Sequence, residues 1–163
     1  MLNAILGEGM SSRLFLELRE KRALAYDVHS YGTTFVDAGQ LVVYAGVTPD
    51  RISEVIAASL AEVAKMREQI VPEDEIDRVR DFNKGRLELR LENSQGVSNW
   101  LAGQELFLGR VRSVEEVSAI IDGVSAQDVQ RVKDTVELGL RCPFKEEDVA
   151  ALLLSDSDDW MSA

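Results

Sequence analysis

The sequence predicts an α+β fold, an antiparallel sheet packed against several helices. Two neighbouring segments rich in Val, Tyr and Thr, at about 24–35 and 41–47, are separated by Val36-Asp37-Ala38-Gly39 and read as a hairpin. Most of the remaining chain carries apolar residues at helical spacing. Strands and helices are segregated along the chain rather than alternating, which favours an antiparallel sheet over a doubly wound one.

The elements follow in order. Residues 2–6 form a short apolar helix broken at Gly7 and Gly9, and Ser11 or Ser12 is placed to cap the next helix. Leu14, Phe15 and Leu18 give that helix an apolar face, and Glu17 pairs with Lys21 on another. The second strand is nearly all apolar, which predicts cover on both faces. Thr48-Pro49-Asp50 starts a helix in which Ile52, Val55, Ile56, Leu60 and Val63 keep helical spacing. Pro72 opens another, with an acidic first turn and Ile76, Val79, Asn83, Leu87 and Leu91 along one side. Gly85 interrupts it and suggests close packing there. Further helices are expected at 94–108, behind the capping box Ser113-Val114-Glu115-Glu116, and from Ser125-Ala126-Gln127-Asp128. A short strand at about 138–142 and a helix at 146–154 follow. Residues 1–154 read as one domain, and the acidic tail 155–163 as disordered.

With 163 residues, the chain is long enough to bury a core without disulfides. No apolar run reaches the ~18 residues of a spanning helix, and no basic segment precedes the apolar N-terminus. With its lone cysteine, this points to a cytoplasmic protein. The net charge of −11 would repel nucleic acid and anionic membranes, so neither is an expected partner.

Inventory excludes several chemistries. A zinc helix needs a pair of histidines, and the chain has only His29, so no metal site of its own is expected. There is no G-x-S-x-G elbow, no G-K-[ST] phosphate loop, and Gly7-Glu8-Gly9 lacks the third glycine of a dinucleotide fingerprint. Cys142 reads as a small buried hydrophobe. His29 reads as a structural or surface histidine, and Arg13 and Arg22 as surface charges. Taken alone, Arg19 reads as a solvated helix arginine and Tyr26 as a half-buried strand aromatic.

One stretch is distinctive: Leu6-Gly7-Glu8-Gly9-Met10-Ser11-Ser12-Arg13-Leu14-Phe15, then Arg19-Glu20-Lys21-Arg22-Ala23-Leu24-Ala25-Tyr26. It resembles the C-terminal, non-zinc domain of the pitrilysin/insulinase/mitochondrial processing peptidase family, which typically reads L-G-G-G-M-S-S-R-L-F and R-E-K-R-G-L-A-Y. Tyr44-Ala45-Gly46, Lys84-Gly85, Gln104-Glu105-Leu106 before Gly109-Arg110, and Ile121-Asp122-Gly123-Val124-Ser125 agree in order and spacing.

The resemblance implies one half-domain of the processing-peptidase-like fold, with no catalytic residue of its own. Zinc, bound by H-x-x-E-H, would lie in a partner domain or subunit. Arg19 and Tyr26 would bind an extended peptide substrate, Arg19 at a peptide carbonyl and Tyr26 at the carbonyl under attack. Gly7 and Gly9 read either as a flexible substrate loop or as a helix-break turn. The alternative is a non-catalytic assembly subunit, including a homo-oligomer. Glu8 departs from the family glycine, and the family's first strand and full closing strand are lacking, which would leave a sheet edge open.

Overall fold

The computed structural model describes residues 1–35 and 38–131. Helix α1 (Leu2–Leu6) leads through a tight loop into a π-helix (Phe15–Lys21), then strands β1 (Asp27–Thr34) and β2 (Gly39–Gly46). A 3₁₀ turn (Pro49–Arg51) introduces α2 (Ile52–Glu68), followed by α3 (Glu73–Arg90), α4 (Ser94–Leu108) and α5 (Val114–Asp122). Residues 126–131 are again helical. The expected strand at 138–142, the helix at 146–154, the acidic tail, Cys142 and turn residues 36–37 lie outside the described residues.

The two strands pair antiparallel, from Asp27 opposite Gly46 to Thr34 opposite Gly39. Alternation puts Val28 and Ser30 of β1 on the core side and Asp27, His29 and Tyr31 outside. The core beneath is built from Ile5 and Leu6, Leu14 and Leu18, and Val71 and Ile76, all 2% exposed or less. Each such side chain contributes roughly 1.5–3 kcal/mol by leaving water. Polar bonds seat α1 against the sheet: the Ser30 N–H donates to the Gly7 carbonyl (2.9 Å) and the Ser30 hydroxyl to Asn3 Oδ1 (2.7 Å).

Helix ends follow their sequence signals. Ser113 and Glu116 form the reciprocal capping box, and Asn93 accepts from the Gly96 N–H at 2.8 Å. The Ser125 hydroxyl accepts from the Asp128 N–H (3.1 Å), while the Asp128 carboxylate accepts from the Ser125 hydroxyl (2.7 Å) and the Ser125 N–H (3.0 Å). The two bonds donated by Ser125, the hydroxyl's first, hold the Asp128 carboxyl below the usual range.

Several expectations are corrected. Strand β2 is not covered on both faces: Leu41, Val43 and Tyr44 are 37%, 36% and 49% exposed, and on the outer face Tyr44 stacks only on the surface ring of its strand neighbour His29 among the described residues. In α2 the buried residues are Val55, Ala58, Glu62 and Met66, and Leu60 is exposed. Glu62 tolerates burial because Lys65 Nζ lies 2.5 Å from its carboxylate. No side chain caps the π-helix, and the buried Ser12 hydroxyl instead donates to the Gly9 carbonyl (2.7 Å). Arg13 is no surface charge: its half-buried fork meets Glu75 at 3.0 and 2.7 Å, fastening the π-helix entry to the start of α3.

Gly85 is a further correction. A Cβ built there meets nothing within 4 Å among the described residues, so no close packing with them requires glycine. Glycine's extra backbone entropy therefore costs stability with no return. Gly85→Ala is expected to raise the unfolding free energy by about 1 kcal/mol in urea titration; an unchanged or lowered midpoint would show that this side of α3 is occupied.

Candidate functional site

The site is built where the π-helix ends. An i→i+5 bond from the Arg22 N–H to the Glu17 carbonyl (3.2 Å) marks the widened turn. The Leu18 carbonyl then accepts from both Leu24 N–H (2.7 Å) and Ala25 N–H (3.4 Å). Leu18 and Leu24 are buried together beneath this closure. So sharp a stop needs one residue in the left-handed region, and Ala23 takes it at φ 49°. Alanine there costs roughly 1–2 kcal/mol of backbone strain. The related pattern R-E-K-R-G-L-A-Y has glycine at this position.

That reversal returns Tyr26 over Arg19. The Arg19 guanidinium carbon lies 5.0 Å from the centre of the Tyr26 ring and 4.9 Å from that of Phe15. Among the described residues Arg19 makes no hydrogen bond, and its nearest carboxylate is Glu20 at 4.0 Å. Tyr26 is 83% exposed. Both residues line an open groove of about 700 Å³, walled by residues 23–27 on one side and 46–48 with Arg51 on the other. The second cation is engaged, since Arg51 pairs with Glu54 at 3.0 Å. Glu17, on the same π-helix, accepts from Lys21 and Arg22, which holds its carboxyl below the usual range and leaves Arg19 out of that network.

The structure thus brings Arg19 and Tyr26 together. It places the glycines elsewhere. Gly7 is buried, and a Cβ there would come within 2.5–2.8 Å of the Ser30 side chain and backbone nitrogen. Gly9, at φ 95°, lies against the Phe82 ring. Neither glycine lines the groove. Beside Gly9, Glu8 accepts from Asn3 and forms an ion pair with Arg86, so the departure from the family glycine is used in a local polar cluster. His29 is a surface residue, stacked on Tyr44 with ring centres 4.9 Å apart and facing Asp27 at 3.4 Å. Among the described residues, no group of three or more His, Cys, Asp or Glu is placed to hold a metal ion. No helix there is long and apolar enough to cross a membrane.

Phe15 makes a contact that sequence reasoning did not foresee. It lies on the apolar face as expected, packed half-buried against the core, and its ring also lies under the Arg19 cation. Its position four residues before Arg19 is the only signal available.

A solved peptidase M16 inactive domain from Pseudomonas fluorescens matches with TM-score 0.72, covering 82% of this chain and 32% of that one at 19% identity, a likeness of fold alone. A conserved protein from Enterococcus faecalis matches with TM-score 0.70 and 26% identity, over 82% of this chain and 31% of its own. Residues 1–82 match the family model described as the peptidase M16 inactive domain, and the chain belongs to that family. An uncharacterized zinc protease of Streptomyces coelicolor is 37% identical over 157 residues, 93% of this chain and 34% of the relative. The uncharacterized zinc protease YmxG of Bacillus subtilis is 31% identical over 162 residues, 99% and 38%. The chain therefore spans about a third of the length of the curated relatives it matches.

If Gly7 serves packing, Gly7→Ala must push α1 off β1. The expected loss is roughly 1–3 kcal/mol of stability by denaturant titration. A variant as stable as the parent would free Gly7 for a loop role.

Proposed function

We propose that this chain is the substrate-binding, non-zinc half of an M16 zinc metalloendopeptidase. In this reading it grips an extended peptide and completes an active site whose zinc is held by another domain or subunit. The observation that carries the reading is the guanidinium of Arg19, held against two rings and without a side-chain hydrogen bond among the described residues, beside the exposed Tyr26 at an open groove.

The chemistry suits the assignment. Amide hydrolysis builds negative charge on the carbonyl oxygen, and prearranged donors stabilise that charge more than they stabilise the substrate. Arg19 stays cationic at any working pH and offers a planar set of donors to a peptide carbonyl. Tyr26 donates a hydroxyl proton to a hydrogen bond at the attacked carbonyl while remaining neutral. Gly7 and Gly9 act through the frame: one lets α1 close on β1, the other turns the loop ahead of the π-helix. Among the described residues no cluster of His, Cys, Asp or Glu is placed to hold zinc, and the chain's single imidazole stacks on Tyr44. The proposal therefore places the metal in the partner half.

Arg19→Ala and Tyr26→Phe, each reassembled with a zinc-bearing M16 half, are expected to fold normally and to lose turnover by about 100-fold. The isolated chain is expected to show no zinc-dependent hydrolysis. Turnover retained by both variants would remove the site assignment, and hydrolysis by the purified chain alone would remove the division of labour.

A second reading, a non-catalytic assembly subunit or homo-oligomer, is favoured by α4. That helix buries no residue, and Leu106 and Phe107 are 80% and 72% exposed. Light scattering on the eluting chain separates the readings. A stable homo-oligomer without peptide affinity supports assembly, and a monomer that binds peptide supports the substrate role.

A further inference from the structure

We propose that Phe15 is the positioning residue for Arg19, and that its ring forms one jaw of a clamp whose other jaw is Tyr26. The inference rests on the reading of Arg19 as a peptide donor. The geometry behind it does not: ring centres lie 4.9 and 5.0 Å from a guanidinium with no hydrogen bond among the described residues. A free arginine side chain samples many rotamers, and ordering it on binding a peptide would cost affinity. Stacking on aromatic faces restrains the cation while its in-plane N–H groups stay available to acceptors. Phe15 can act this way because it is itself fixed: it packs against the buried core, one residue after the fully buried Leu14. Tyr26, in contrast, is mostly in solvent, so the rigid jaw is Phe15. Among the described residues no carboxylate does this work, since the nearest, Glu20, is exposed and 4.0 Å away.

The test compares Phe15→Leu, which keeps apolar bulk without a ring, with Phe15→Tyr, which keeps the ring. Phe15→Met replaces the leucine variant should that fail to fold, as judged by thermal unfolding. Two readouts are taken on the full chain. The Arg19 Nε–Hε resonance, assigned by its loss in Arg19→Ala, senses the aromatic rings. Affinity for a labelled, unstructured peptide senses the donor. The leucine variant is expected to move the resonance toward its position in free arginine and to weaken the peptide about fivefold. The tyrosine variant is expected to keep both, and the leucine change is expected to have no further effect on affinity in the Arg19→Ala background.

An Arg19 resonance indifferent to Phe15→Leu would overturn the clamp. So would an equal loss of affinity in the Arg19→Ala background, which would mean that Phe15 touches peptide directly. If the parent chain binds no peptide, the proposed function fails while the resonance still decides the clamp.

Discussion

The carbonyl of Leu18 is the point on which the site turns. It accepts from Leu24 and Ala25, ends the π-helix in one step, and sends the chain back along β1. Leu18 and Leu24 bury their side chains under the same closure, so hydrogen bonding and hydrophobic burial act at one place. The closure requires a left-handed residue, and the strain at Ala23 is offset by the packing it permits. Without this reversal Tyr26 would continue away from the helix and Arg19 would meet the Phe15 ring alone.

The same end of the molecule is braced from two further directions. Arg13, half-buried, binds Glu75 through two hydrogen bonds and joins the π-helix entry to α3. Ser30, Asn3 and the Gly7 carbonyl hold α1 against the strand that follows Tyr26. A donor whose position must be kept within a fraction of an ångström is better served by such rigid elements than by a loop. The two apolar surfaces left uncovered among the described residues, β2 and α4, lie on other elements. In relatives about three times as long, more chain is present to meet surfaces of this kind.

Sequence reasoning reached the hairpin, the bounds of α1 and α4 and the capping box because each rests on a local signal, period or cap, whereas Arg19 and Tyr26 were paired only through the family resemblance. It missed what depends on neighbours distant in sequence. An apolar β2 implies cover, yet whether cover exists is decided by other segments. Leu60 and Glu62 sit two residues apart on α2, and only tertiary packing turns Glu62 inward beside Lys65. Gly85 in a helix suggests crowding, and only the three-dimensional neighbourhood reveals open space. The π-type widening is not legible in Phe15, Leu18 and Arg19, since seven residues make fewer than two turns and cannot fix a period. The apolar face thus indicates the core contact of Phe15 but not its contact with Arg19.

The central claim is that the groove beside the ring-stacked arginine receives a peptide. Backbone and arginine side-chain NMR of the isotope-labelled parent chain, titrated with an unstructured peptide, tests it most directly. The account predicts saturable shifts concentrated at Arg19 Nε–Hε and at the amides of Tyr26 and Gly46. Saturable shifts confined to α4 or to the outer face of the hairpin would contradict it.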